Sequence, residues 1–205
     1  MSPTDLIQRL RAARVVPVVR TSSAAHAETA VEWLRGAGIR IFEITMTIPG
    51  GIPLIARLSK APDLLIGAGT VADEATAQAC LDAGARFLVA PWVDPALSGP
   101  CRNAGAALML GALTPTEVRA ALVAGADVVK VFPASSAGGP GHVRALASVF
   151  PGVAFCPTGG VEPGNVGAYL AAGAAFVGMG GALVDEKRIA AGDRAAIEAA
   201  AKAVS

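Results

Sequence analysis

Apolar residues in this chain gather in short continuous runs rather than in strict alternation. Val15 to Val19 is one such run, and residues 64–66, 107–110 and 153–156 are others. A run that is apolar on both faces predicts a buried parallel strand. A phrase also repeats, made of an apolar helix end, then Ala-Gly, then a strand. It reads Leu34-Arg-Gly-Ala-Gly38-Ile-Arg-Ile-Phe-Glu-Ile-Thr45, and returns at Leu81 to Pro91, Leu122 to Pro133 and Leu170 to Gly180. Glycine ends helices in the left-handed conformation. These glycines recur roughly every 40 to 50 residues, a spacing that fits two strand–helix units.

Helices fit between the runs, at about 22–36, 51–60, 73–83, 94–104, 115–124, 141–149, 163–172 and 186–203, with a short one at about 4–13. Cap-like residues open several of them: Asp73-Glu74, Asp94-Pro95, and Thr114 with Glu117 at capping-box spacing. Eight strands alternating with eight helices predict an α/β fold with a parallel sheet, closed as a (β/α)8 TIM barrel. The rival is a doubly wound open sheet, which calls for a dinucleotide fingerprint. Gly67-Ala-Gly69 lacks the third glycine of that fingerprint. No linker-like stretch divides the chain, so one domain over 1–205 is expected.

Composition narrows the function. Apolar residues make up 53 % and charged residues 16 %, which points to a large core and to surface buried in an oligomer. A net charge of +1 without a basic run makes nucleic acid an unsuitable partner. Cys80, Cys101 and Cys156 are odd in number and lack C-x-x-C spacing, which argues against a disulfide framework or zinc site and fits a reducing cytoplasm. The N-terminus carries Asp5 and has no leader-like apolar stretch. Residues 166–184 are uncharged and long enough for a membrane span. Their five glycines, with a helix stop at Gly173, instead predict a helix end, a buried strand and a loop, and no membrane contact.

One run holds a lysine: Val128-Val-Lys130-Val-Phe132. Lysine is rarely buried unpaired, and burial disfavours the ammonium and favours the nucleophilic amine. The plainer alternatives are a lysine on an edge strand or one snorkelling out at a strand end. In a barrel, chemistry sits where strands end. Those positions hold Arg20, Glu43, Thr45, Thr47, Thr70, Pro91, Gly111, Lys130, Thr158-Gly159-Gly160 and Gly180-Gly181. The set suits a small anionic carbonyl compound. Lys130 and Glu43 come from the sixth and second strands and are read as facing one bowl, with a purely structural ion pair as the alternative. Glycine pairs ending strands seven and eight suit phosphate, with ordinary tight turns as the alternative. His26 and His142 fall away from strand ends and are read as surface residues.

Glu43-Ile-Thr45, Ile66-Gly-Ala-Gly-Thr70-Val71, Val89-Ala-Pro91, Lys130-Val-Phe-Pro133 and Cys156-Pro-Thr-Gly-Gly160-Val together resemble the 2-keto-3-deoxy-6-phosphogluconate (KDPG) and 4-hydroxy-2-oxoglutarate aldolases, which are class I pyruvate aldolases. The resemblance runs from about Val15 to Val184. It implies a metal-independent lyase without cofactor, cleaving KDPG to pyruvate and glyceraldehyde 3-phosphate, and a homotrimer. It also implies roles. Lys130 forms the Schiff base and Glu43 is the general acid/base. Thr70 lies beside the substrate carboxylate, Pro91 and Phe132 line the pocket, and Gly159, Gly160, Gly180 and Gly181 hold the phosphate. Thr45, Thr47 and Thr158 belong to the same substrate-binding set. Two departures stand out. Many members carry an arginine where this chain has Thr47, and Arg20 is available for the carboxylate instead. Many place a serine where Gly181 stands. Thr158 resembles the gluconate branch rather than the galactonate one. The galactonate epimer, 4-hydroxy-2-oxoglutarate and a sulfonated analogue are alternative substrates. A sugar-phosphate isomerase or decarboxylase on the same barrel, and an inactive trimeric scaffold, are alternatives of other classes.

Overall fold

A computed structural model of the chain describes residues 2–204. Eight strands run in one direction: β1 (Val15–Val19), β2 (Ile41–Thr45), β3 (Leu65–Gly69), β4 (Phe87–Ala90), β5 (Ala107–Ala112), β6 (Val128–Val131), β7 (Phe155–Pro157) and β8 (Val177–Met179). They pair in parallel in the order β7-β6-β5-β4-β3-β2-β1-β8. Two bridges, Phe155 to Ala174 and Thr158 to Gly178, join β7 to the β8 side and bring the sheet nearly to closure. The fold is a (β/α)8 barrel.

Among the described residues, ten α-helices accompany the strands: α1 (Pro3–Ala13), α2 (Ala24–Gly36), α3 (Gly51–Leu58), α4 (Glu74–Asp82), α5 (Ser98–Ala104), α6 (Pro115–Val123), α7 (Gly139–Val149), α8 (Val166–Ala171), α9 (Glu186–Ala190) and α10 (Arg194–Lys202). The capping box at α6 forms as its spacing predicts. Glu117 N donates to Thr114 Oγ1 at 3.3 Å, and Thr114 N donates to Glu117 Oε2 at 2.8 Å. The repeated helix-ending glycines Gly38, Gly84, Gly125 and Gly173 all take positive φ, between 90° and 104°.

Alternation along each strand sorts the core in two. Val16, Ile41, Leu65, Phe87, Met109, Val128 and Cys156 fill the barrel interior, and Leu6 and Leu10 of α1 plug its closed end. The intervening positions, such as Phe42, Ile44, Leu88, Leu108 and Val129, pack outward under the helices. Every strand is therefore buried along its whole length, which is why each reads as a continuous apolar run. Glu43 is two residues beyond Ile41, and Lys130 two beyond Val128, so the same alternation turns both inward.

Some boundaries differ from expectation. The last helix, expected over 186–203, divides into α9 and α10. Gly192 takes φ 72° between them, and the Asp193 carboxylate caps α10 by accepting from Ala196 N at 3.2 Å. β3 extends to Gly69 instead of stopping at 66. Its glycines are inward strand positions cleared for neighbours: a Cβ on Gly67 would overlap the Phe87 ring, and one on Gly69 the Glu43 carboxylate. α8 starts at Val166 rather than 163, because Asn165 organises a turn before it. Its Oδ1 accepts from Glu162 N and its Nδ2 donates to Gly160 O. The segment expected as one helix over 94–104 opens with a 3-10 turn, Pro95–Leu97. Among the described residues no helix is long and apolar enough to cross a membrane.

Candidate active site

The strand ends face one mouth of the barrel, where a cavity of about 610 Å³ opens. Lys130 lies at its base. Its Nζ donates to Glu43 Oε1 at 3.3 Å, and each of the two side chains is only 6 % exposed. The residues are 87 apart in sequence, and barrel closure sets them face to face. The Gly69 backbone leaves the space that the Glu43 carboxyl occupies. Lys130 Nζ also stands 5.7 Å from the centre of the Phe132 ring, which closes one side of the cavity. A buried amine held against a carboxylate at a cavity floor can add to a carbonyl and hand protons to and from the adduct.

Cys156 pairs with Lys130 across the β6–β7 register. Burial, the largest influence on it, pushes its thiol up to about 12. The thiol therefore stays protonated at neutral pH and does not compete with the amine as a nucleophile. Among the described residues no group of three or more His, Cys, Asp or Glu is placed to hold a metal ion.

Two ends of the cavity differ in chemistry. At one, Arg20 Nη2 donates to Thr70 Oγ1 at 3.3 Å, and both residues line the wall. Thr70 takes φ 57°, a left-handed conformation that a β-branched residue rarely adopts and that costs about 1–3 kcal/mol. Beyond it, Val71 N donates to Val89 O at 3.1 Å, so the backbone around the strained residue is tied down. At the other end stand Gly159, Gly160, Gly180 and Gly181, with no cationic side chain among them. Gly159 and Gly160 have φ of 92° and 71°, so that turn requires glycine. Gly180 and Gly181 lack positive φ, and a Cβ on Gly181 would meet nothing within 4 Å.

Residues 6–200 match the family model for KDPG and KHG aldolase. The chain belongs to the KDPG and KHG aldolase family. A 2-dehydro-3-deoxy-phosphogluconate aldolase of Treponema pallidum is 35 % identical over 189 residues, covering 92 % of this chain and 90 % of the relative. Its counterpart in Pseudomonas aeruginosa is 37 % identical over 162 residues, covering 78 % of this chain and 74 % of that one. The crystal structure of the KDPG aldolase from Legionella pneumophila superposes with a TM-score of 0.88 at 34 % identity, covering 97 % of this chain and 98 % of that one. In that structure pyruvate was captured at low pH as a covalent carbinolamine intermediate.

Of the residues expected from sequence, Arg20, Thr70, Pro91, Lys130, Phe132, Thr158, Gly159, Gly160, Gly180 and Gly181 line the one cavity, with Glu43 beneath Lys130. Thr45 and Thr47 do not line it. β2 ends at Thr45, and Ile48 N donates back to Thr45 O, so the chain turns off beside the mouth. Their hydroxyls pair with each other instead, at 2.9 Å. The two histidines stay outside the cavity, as their places away from the strand ends predict, and lie partly exposed at the surface. Both are half-buried: His26 Nδ1 sits 2.8 Å from Glu186 Oε1, and His142 Nε2 is 2.6 Å from Leu113 O. His26 thus meets the first residue of α9, and His142 meets the loop between β5 and α6, which covers part of each ring. Sequence reading missed Val18, Val161, Glu162, Ala182 and Val184 in the lining. Val18 was within reach, being two positions beyond the inward Val16. Glu162 follows the glycine turn and carries no signal of its own.

Proposed function

We propose that Lys130 is the Schiff-base lysine, and Glu43 the proton-transfer residue, of this class I aldolase, which cleaves KDPG to pyruvate and glyceraldehyde 3-phosphate. The observation that carries the reading is the buried Lys130–Glu43 pair, 3.3 Å apart at the floor of the cavity. The Lys130 amine adds to the C2 ketone, and the carbinolamine loses water to give an iminium. That cation draws the C3–C4 bonding electrons, while Glu43 takes the C4 hydroxyl proton, directly or through water. The aldehyde leaves and an enamine remains. Protonation at C3, with Glu43 returning the proton, and hydrolysis of the iminium release pyruvate and restore the amine. Arg20 and Thr70 take the substrate carboxylate, and the Gly159–Gly160 and Gly180–Gly181 turns the phosphate, a reading supported by their sharing one cavity with Lys130. The direct test is pyruvate release from KDPG, from its galactonate epimer and from 4-hydroxy-2-oxoglutarate. Failure to release pyruvate from any of them would reject the reading.

The phosphate end gives a finer prediction. Gly181 needs neither a left-handed backbone nor an empty side-chain position, so serine fits there without strain. One added hydrogen bond to a charged group contributes about 1.5–3 kcal/mol. Gly181→Ser is therefore expected to raise kcat/KM for KDPG by about tenfold or more. It should change 4-hydroxy-2-oxoglutarate cleavage little. Equal gains on both substrates would remove the β8 loop from the phosphate site.

The chain is further expected to form a homotrimer. Only 16 % of its residues are charged, and Val123 and Val149 stand 81 % and 60 % exposed on the helical face. Cyclic symmetry closes such an assembly without leaving a free apolar face. Light scattering at micromolar concentration checks this, and a monomer mass would reject it.

A further inference from the structure

The barrel seam between β1 and β8 is short. Its parallel pairing runs from Val15–Val177 to Pro17–Met179 and goes no further. Pro17 lacks an N–H and so cannot donate to a neighbour. Beyond that point Val18 and Arg20, at the end of β1, and Gly180, Gly181 and Val184, after β8, all line the cavity. Among the described residues, the side-chain hydrogen bonds that join the segment after β1 to the segment after β8 all end on one atom, Glu186 Oε1. Ser22 N and Ser22 Oγ donate to it at 2.8 and 2.6 Å, and His26 Nδ1 lies at 2.8 Å. Ser22 is two residues beyond Arg20, and Glu186 is five beyond Gly181. A second cavity, of about 660 Å³, is lined by Ser22, His26 and Glu186 and shares Gly181 and Val184 with the first. The three donors hold the Glu186 carboxyl far below the usual carboxylate range, at about 2, so it remains an ionised acceptor at working pH.

We propose that Glu186 is a positioning residue that locks the β1 loop, and Arg20 on it, at a fixed separation from the Gly180–Gly181 turn, so that both charged ends of one substrate are gripped together. The proposal rests on the assignment of those two loops to the carboxylate and phosphate. Its physical basis is simultaneous engagement: a ligand held at both ends binds tightly only while the two grips keep the spacing that the ligand spans. Loop-to-loop spacing matters to a ligand that touches both loops and much less to one that touches one.

The test compares KDPG, which spans both loops, with pyruvate, which reaches only the carboxylate end. Glu186→Ala should raise KM for KDPG about tenfold with kcat within about twofold of native. The pyruvate concentration that half-saturates borohydride trapping should move by less than about threefold. Glu186→Gln keeps an acceptor oxygen for Ser22 and should recover most of the KDPG affinity, and it serves if the alanine variant folds poorly. Ser22→Ala should shift KM in the same direction as Glu186→Ala. A fall in melting temperature with an unchanged KM for KDPG, or equal shifts for KDPG and pyruvate, would overturn the positioning role. A native chain that traps no pyruvate would instead overturn the functional reading, and the positioning role with it.

Discussion

Lys130→Arg is expected to gain no pyruvate-derived mass on borohydride reduction and to lose cleavage by roughly 10⁴-fold or more, down to background. The native chain is expected to gain one such mass, on Lys130. The reasoning is chemical. A guanidinium stays protonated and cannot add to a ketone as the amine does. Arginine is also the informative replacement structurally. Lys130 and Glu43 are both buried, and removing one partner of a buried pair costs about 3–5 kcal/mol because the other is left uncompensated. Arginine keeps a cation facing Glu43, so lost activity is not lost folding, and circular dichroism on the same sample separates the two. Mass spectrometry of the reduced, digested protein locates the adduct. Label on any other lysine would remove Lys130 from the mechanism.

Glu43→Gln should lower kcat by about 10²-fold or more while Lys130 is still trapped by pyruvate and borohydride. The amide preserves size, which matters because the Gly69 backbone packs directly on the Glu43 carboxyl. It still offers an oxygen to Lys130 Nζ but no longer takes a proton. Adduct formation from pyruvate would persist, since addition needs the amine, whereas carbon–carbon cleavage would slow, since it needs the C4 hydroxyl proton removed. Gly69→Ala should produce a related defect from behind, because its methyl group would displace the carboxyl from its place against Lys130. Near-normal kcat in Glu43→Gln would make Glu43 a structural partner of the lysine only.

Much of the architecture was legible because its causes are local. A helix-ending glycine acts through its own φ, and Gly38, Gly84, Gly125 and Gly173 each ended a helix where the repeat placed them. The Thr114–Glu117 box closes within four residues. Fully buried strands need continuous apolar runs, and a lysine or glutamate inside such a run stands out. Lys130 and Glu43 therefore stood out by their surroundings, while the roles expected of them came from the resemblance to the aldolases. Where two local signals competed, reading failed. Gly67 and Gly69 look like loop residues, yet they are strand positions emptied for Phe87 and Glu43. Gly192 and Asp193 break a helix whose apolar pattern continues past them.

By itself, then, the sequence determined the alternation of strand and helix, the buried lysine and carboxylate, and the glycine turns, because each depends on residues near it in the chain. Only the tertiary structure decided which of these meet. It turned Thr45 and Thr47 to each other beside the mouth, bent Thr70 into a left-handed conformation next to Arg20, and gathered Ser22 and His26 onto Glu186. Ser22 and Glu186 lie 164 residues apart, and Glu43 and Lys130 lie 87 apart. Contacts at such separations arise from the closure of the barrel, which sets the position and facing of every strand end at once and leaves no trace in any short stretch of chain.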